Sequence, residues 1–326
     1  MNTQKQAQSN TQGSLPLFTP TQGKASGLAY TAAVGFTLFF SLLLTVVLLA
    51  MGLTQEELDG IQNKDWYIYL SFALPQLAML ITAAVYFIWL KRSPIAAIKS
   101  QKCHPKYYPI AIALQLGLLS LGELNALFIS FLERFGYVDP SIQLPSLNGF
   151  GFVGVLFAVA VVPAIFEEIF FRGILLKGLR SFGTVGAVLL CGVLFSVYHQ
   201  NPAQTIYQFL CGAAFALVAI RSGSILPTVV SHFINNALIV VLEKFGVTAF
   251  PLPVYIVMLC VEGVLLVGSL VYLIFFDKPK KSQTVEIVKT QEEKRERARF
   301  FVCAALGIAV CAVNWLSVLL VGFMGA

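Results

Sequence analysis

Apolar stretches of roughly 20 residues recur along the chain, separated by short polar or charged interruptions, as expected of helices that cross a hydrocarbon core about 30 Å thick. Clear stretches cover residues 28–53, 66–90, 108–132 and 151–176. A closer-set group follows at 184–198, 204–220 and 225–242, punctuated by Pro, Gly and Ser at 182–186, 201–202 and 222–227, and two of these are short for a full crossing. The last pair, 254–276 and 301–323, is joined by a charged segment, 277–299. The pattern predicts an all-α fold, a polytopic transmembrane helix bundle of about eight or nine helices. It divides the chain into a polar, disordered N-terminal tail over 1–27, a bundle over 28–276, a charged cytoplasmic linker over 277–299 and a final transmembrane helix within 300–326.

Basic residues give the bundle a direction. Lys5 and Lys24 precede the first helix, Lys91, Arg92, Lys99, Lys102 and Lys106 follow the second, and Lys177 and Arg180 follow the fourth. Arg221 and the eight Lys and Arg residues between Lys278 and Arg299 fall on the same side, with Glu56, Glu57 and Asp59 opposite. The excess of Lys and Arg marks the cytoplasmic side and predicts a cytoplasmic N-terminus, in a cell (plasma) membrane, with nine spans placing the C-terminus outside. Trp66, Tyr67 and Tyr69, and again Tyr107 and Tyr108, suit the two interfacial belts.

Composition agrees. Of 326 residues 57% are hydrophobic and only 12% charged, about half the charged fraction of a soluble domain. The net charge of +6 sits in short interhelical segments, which argues for contact with anionic headgroups of the lipid bilayer and against nucleic acid. The six cysteines lie mostly inside apolar runs without a CxxC pair, which gives little support to structural disulfides or a thiolate zinc site and reads as core packing. The polar N-terminus lacks the basic-then-apolar order of a secretory signal.

Ionisable groups within spans carry a cost of roughly 2.5–3.5 kcal/mol on insertion scales, so each needs a reason. The fourth span holds Glu167, Glu168 and Arg172. On a helix Glu168 and Arg172 share a face in the favourable order for an ion pair, and Glu167 is rotated about 100° away. One carboxylate is neutralised, and the other is left for general-base work or as the spare group of a structural salt bridge. His199 ends the fifth helix; His232 lies in the seventh, one turn before Asn236.

Counted from the turn near Phe182 at about 1.5 Å per residue, Glu168 lies roughly 21 Å along one helix and His199 roughly 25 Å along the next. From Ser222, on the same side, His232 lies roughly 15 Å in and Asn236 roughly 21 Å in. Polar groups from three helices are therefore expected at one depth. Pro163, one turn before Glu167, deprives its helix of one hydrogen bond and leaves a carbonyl for water or a polar neighbour. Glu123, Glu262 and Asn314 stand apart from this group and read as interhelical packing groups, and Ser196 has no accompanying catalytic constellation.

Glu167, Glu168 and Arg172 in EExxxR, Phe195 and His199 in FxxxH, and His232 and Asn236 in HxxxN resemble, in order and spacing, the CAAX protease and bacteriocin-processing (CPBP, or Abi) family of intramembrane proteases. That family includes the type II CAAX prenyl endopeptidases. The likeness covers residues 152–242, and Arg172-Gly173 and Arg221-Ser222-Gly223-Ser224 are similar to flanking segments of the family. It implies an intramembrane endopeptidase acting on a membrane-associated peptide or protein, by water activated between Glu167 and His199 with His232 and Asn236 at the carbonyl or oxyanion. A metalloprotease mechanism, with Zn²⁺ on Glu167, His199 and His232, and a metal-free glutamate mechanism both use these residues. Two other classes remain at this stage: a proton-coupled transporter, for which paired inverted repeats are missing, and a catalytically silent scaffold or immunity factor.

Overall fold

The structure, a computed structural model, describes residues 22–90, 102–139, 144–277 and 291–325. The polar tail up to residue 21, the loop carrying Lys91, Arg92 and Lys99, and 278–290 of the charged linker lie outside the described residues.

The described chain is helical throughout. Helix α1 spans Gly23–Ala50, α2 Gln55–Gln62, α3 Asp65–Trp89, α4 Tyr107–Leu119 and α5 Gly122–Glu133. Helix α6 runs over residues 150–179 and is interrupted by π-helical segments at Leu156–Val161 and Glu168–Leu175. Helices α7 (Gly183–Tyr198), α8 (Thr205–Ser222) and α9 (Leu226–Lys244) follow. Helix α10 spans Leu252–Val271 and α11 spans Gln291–Met324.

Eight described stretches are long and apolar enough to cross a membrane. One of them, Phe150–Tyr198, folds back on itself: the chain tightens at Arg180–Phe182 and reverses at Gly183, whose φ of +78° is accessible at little cost only to glycine. Cys191 Sγ reaches the carbonyl of Phe171 across the hairpin at 3.8 Å, so α6 and α7 are antiparallel arms of this one stretch. The chain is an integral, multi-pass membrane protein.

Three boundaries differ from the hydropathy reading. The third span is broken at Ser120 and Leu121 into α4 and α5. Helix α1 begins at Gly23, where the backbone N–H donates to Glu296 Oε2 at 2.8 Å. Helix α11 is already formed at Gln291, ahead of residue 301, and within it Glu296 makes that bond and Arg297 Nε donates to the Ser181 carbonyl at 2.7 Å. Part of the charged segment is therefore docked on the bundle, where polarity alone suggests only a solvated linker.

Helix α1 packs between α3 and α11, α7 against α8, and α4 between α9 and α10. Gly192 and Gly212 let α7 and α8 approach, since a Cβ on Gly212 would stand 2.9 Å from the Gly192 Cα. Small residues make such contacts in membranes, where apolar lipid removes most of the hydrophobic drive for association. At the N-terminal end of α4, Asp277 accepts from Lys106 Nζ at 2.7 Å and from the Tyr107 hydroxyl at 2.8 Å. These partners raise the pKa of Lys106 well above the ordinary lysine range, mainly through the Asp277 and Tyr272 hydrogen bonds, so its ammonium stays protonated at neutral pH.

Candidate active site

Helix α7 has 16 residues, about 24 Å of rise, and so ends before it could cross a core about 30 Å thick. The chain then turns at membrane depth through His199 to Gln204, with Gln200 at φ +53° and Asn201 Oδ1 accepting from Ala203 N at 2.8 Å. Non-helical backbone at that depth is stable only against protein or a hydrated cavity. Both are present. The turn borders a cavity of about 1120 Å³ that also receives Glu167, His232 and Asn236.

Glu167 and Glu168 diverge as their rotation on α6 demands. Glu168 is fully buried, and its Oε1 accepts from Arg172 Nη1 at 2.6 Å and from His232 Nδ1 at 3.0 Å. Arg172, also fully buried, donates through Nη2 to the Gly212 carbonyl at 3.1 Å. Its guanidinium lies 4.6 Å from the Phe195 ring centre and 5.3 Å from that of Phe215. The close α7–α8 contact at Gly192 and Gly212 is what brings that carbonyl and both rings within reach.

The hydrogen-bond partners fix both imidazoles. A carboxylate paired with arginine only accepts, so His232 Nδ1 carries the proton and its Nε2 lone pair is free. His199 Nδ1 lies 2.7 Å from the Phe195 carbonyl, which also only accepts, so Nε2 is again the free atom. Both lone pairs face Glu167 Oε2, at 4.0 Å from His199 and 3.8 Å from His232. That oxygen is buried and has no hydrogen-bond partner among the described residues. Spacings of this size are too long for direct hydrogen bonds and suit a water shared by the three groups.

Asn236 has a defined structural task. Pro163 lacks the N–H that would bond the Val159 carbonyl, and Asn236 Nδ2 supplies the missing donor at 2.9 Å. One of its two amide hydrogens is thereby committed to α6. Its Oδ1 accepts from Asn235 Nδ2 at 3.0 Å, and Asn235 Oδ1 accepts from Gln115 Nε2 at 2.7 Å and from the Tyr207 hydroxyl at 2.8 Å. This chain of bonds joins α4, α8 and α9 beneath the cavity.

Sequence reasoning missed Gln76. It sits on α3, buried, and donates from Nε2 to Glu167 Oε1 at 2.9 Å. Its signal is a polar amide directly after Pro75 in an otherwise apolar span, the same Pro-plus-polar grouping that marks Glu167. Ser196 Oγ is spent on the Thr205 carbonyl at 2.7 Å, and Asn314 Nδ2 donates to Gln200 Oε1 at 2.8 Å as an interhelical bond. Glu123 and Glu262, isolated in the sequence, face each other across α5 and α10, with Tyr255 hydrogen-bonded to Glu123.

Among the described residues no His, Cys, Asp or Glu group is close enough to hold a metal ion. The donor chemistry of Glu167 Oε2 and the two Nε2 atoms nevertheless suits zinc. Two tetrahedral ligands about 2.0–2.1 Å from one zinc stand roughly 3.3 Å apart, so these three atoms would have to close by about half an ångström.

Fold and site together define a multi-pass membrane protein built around a buried carboxylate and imidazole centre. Residues 149–238, which hold the Glu, His and Asn motifs, match the family model of the type II CAAX prenyl endopeptidase, Rce1-like. No curated protein and no solved structure matches the chain.

Gln76→Leu is expected to lower peptide hydrolysis about 10- to 100-fold with little loss of folded protein, because a hydrogen bond to a charged group is worth roughly 1.5–3 kcal/mol. Turnover of Gln76→Leu equal to wild type would remove Gln76 from the site.

Proposed function

We propose that the protein is an intramembrane endopeptidase in which Glu167 is the general base. The observation that carries the reading is the partnerless Glu167 Oε2, buried and facing two imidazole lone pairs at 3.8 and 4.0 Å. Water held between Glu167 Oε2 and His199 Nε2 gives a proton to Glu167 as its oxygen bonds to the scissile carbonyl carbon. The negative charge moves to the carbonyl oxygen, which meets the second amide hydrogen of Asn236, while His232, its Nδ1–H held by Glu168, keeps its Nε2 lone pair toward the water. Glu167 then returns its proton to the amine as the C–N bond breaks.

Zn²⁺, if bound, would be held by Glu167, His199 and His232 and would make its water more acidic. The wide spacing and the Gln76 bond to Glu167 Oε1 favour the glutamate-activated route. Active protein purified in lipid is expected to contain far less than one metal ion per chain and to keep its turnover after prolonged chelation. Stoichiometric zinc, with activity lost to chelator and restored by zinc, would overturn that preference. The peptidase reading itself is tested by incubating the protein in proteoliposomes with a peptide library in ¹⁸O-labelled water. Products with new termini, carrying the label in the new carboxylate, are expected, and an uncut library sinks the reading.

A further inference from the structure

The cavity has a side. Its lining comes from 71–79 of α3, 119–125 at the α4–α5 break, Leu144, 159–167 of α6, 198–208 at the α7–α8 turn and 232–243 of α9. Chain order places these stretches at mid-bundle or toward one end of it, with Glu167 and His232 the deepest. Helix α3 enters at Asp65 and leaves toward Lys102 and Lys106, so the lining on it runs from mid-helix to Ser71 near its entry end; α9 starts just after Arg221 and ends at Lys244, so the lining on it runs from His232 out to Glu243 at its exit end.

The other half is closed. Below Glu167, α6 continues through Phe170, Phe171, Ile174, Leu175 and Leu179, each fully buried, and Arg172 is held by Glu168 and the α8 carbonyl in the same layer. Glu167 is thus separated from the α6–α7 turn by about 18 Å of packed helix. The closed half ends in Lys102, Lys106, Lys177, Arg180, Arg221 and the basic start of α11, whereas the open half ends in Lys64, Arg134 and Lys244 among the described residues. The excess of basic residues assigns the closed half to the cytoplasm.

The lining also has a chemistry. Its charged residues besides the two histidines are Glu167 and, near the rim, Glu243; it contains no Lys or Arg. Arg172 is sealed beneath the site. A free peptide C-terminus brought to Glu167 finds no cation to pair with and meets like charge on entry, whereas an extended internal segment presents only amides, for which Gln208 and Asn235 supply polar partners.

We propose that this cavity receives its substrate from the non-cytoplasmic side, as an internal stretch of an exported or externally exposed peptide segment rather than as a free C-terminal carboxylate. The substrate half of this inference rests on the peptidase reading; the sidedness does not. Glu243→Cys and Ile239→Cys place thiols on the cavity wall, Ile239 being 52% exposed, and Lys102→Cys places one on the opposite side. A membrane-impermeant maleimide applied to intact cells is expected to label the first two above the wild-type background and to leave the third until the cells are opened. The reverse pattern, or labelling of the cavity thiols only after opening, overturns the sidedness. Peptides identical but for a C-terminal acid or amide are then offered to active proteoliposomes. Values of kcat/KM within about threefold are expected, and a preference of about tenfold or more for the free acid overturns the substrate class. Cavity labelling as expected with no peptide cut in any form would instead refute the peptidase reading and leave the sidedness standing.

Discussion

Glu167→Gln is expected to reduce peptide hydrolysis by about 10³-fold or more while the protein inserts, folds and melts as wild type does. The substitution keeps shape and removes basicity. Glu167 Oε1 accepts from Gln76, and a glutamine carbonyl can go on accepting that bond. What disappears is the partnerless Oε2, replaced by an amide that cannot take a proton from water, and a positioned general base typically contributes about 10²–10⁴-fold. His199→Ala is expected to fall nearly as far, because it removes the Nε2 lone pair on the other side of the same water. The two changes combined should cost little more than either alone, since groups that act on one water are strongly non-additive. The measurements are turnover in proteoliposomes beside thermal unfolding of the same preparations. More than about a tenth of wild-type turnover in Glu167→Gln would remove Glu167 from the role of base.

Much of this fold was legible because a bilayer enforces a simple code: runs of about 20 apolar residues must be helices, and their order sets which side each end faces. That code is blind where a helix is apolar yet broken. Ser120 and Leu121 split one span without a charge or proline at the break, whereas the short α7 was legible, because Asn201-Pro202 punctuates the chain just after His199. It is blind also to charged helix that docks: Glu296 reads as part of a solvated segment until the Gly23 N–H is seen beside it.

The candidate site was legible for a related reason. Glu167, Glu168, Arg172, His199, His232 and Asn236 are polar where polarity is costly, and counting helical rise put them near one depth. Direction was not legible. Nothing in the spacing says that Asn236 spends an amide hydrogen on Val159, although Pro163 announces that some carbonyl nearby needs a donor. Gln76 escaped because a neutral amide costs less in a span than a charge and so attracts less notice, and its partner lies 91 positions away.

Glu168→Ala and Arg172→Ala are each expected to destabilise the protein by about 3–5 kcal/mol, the usual result of stripping one partner from a buried ion pair. Both side chains are completely excluded from the surface. Without Glu168, the Arg172 guanidinium keeps the Gly212 carbonyl and aromatic faces but no counter-charge; without Arg172, Glu168 keeps His232 and Thr228 but no fixed cation. Replacing both at once, as Glu168→Met with Arg172→Met, leaves no unpaired charge and is expected to recover much of that stability, since apolar substitutes of similar volume commonly match a buried pair. Activity should not return with it. His232 Nδ1 would have lost the carboxylate 3.0 Å away that fixes its tautomer and aims its Nε2 lone pair into the site, so the double variant is expected to be folded and nearly inactive. The unfolding midpoints and turnovers of the three variants decide the matter: a double variant that is both stable and active would reduce the pair to packing, and one as unstable as the single variants would show that the charges themselves hold α6 against α8.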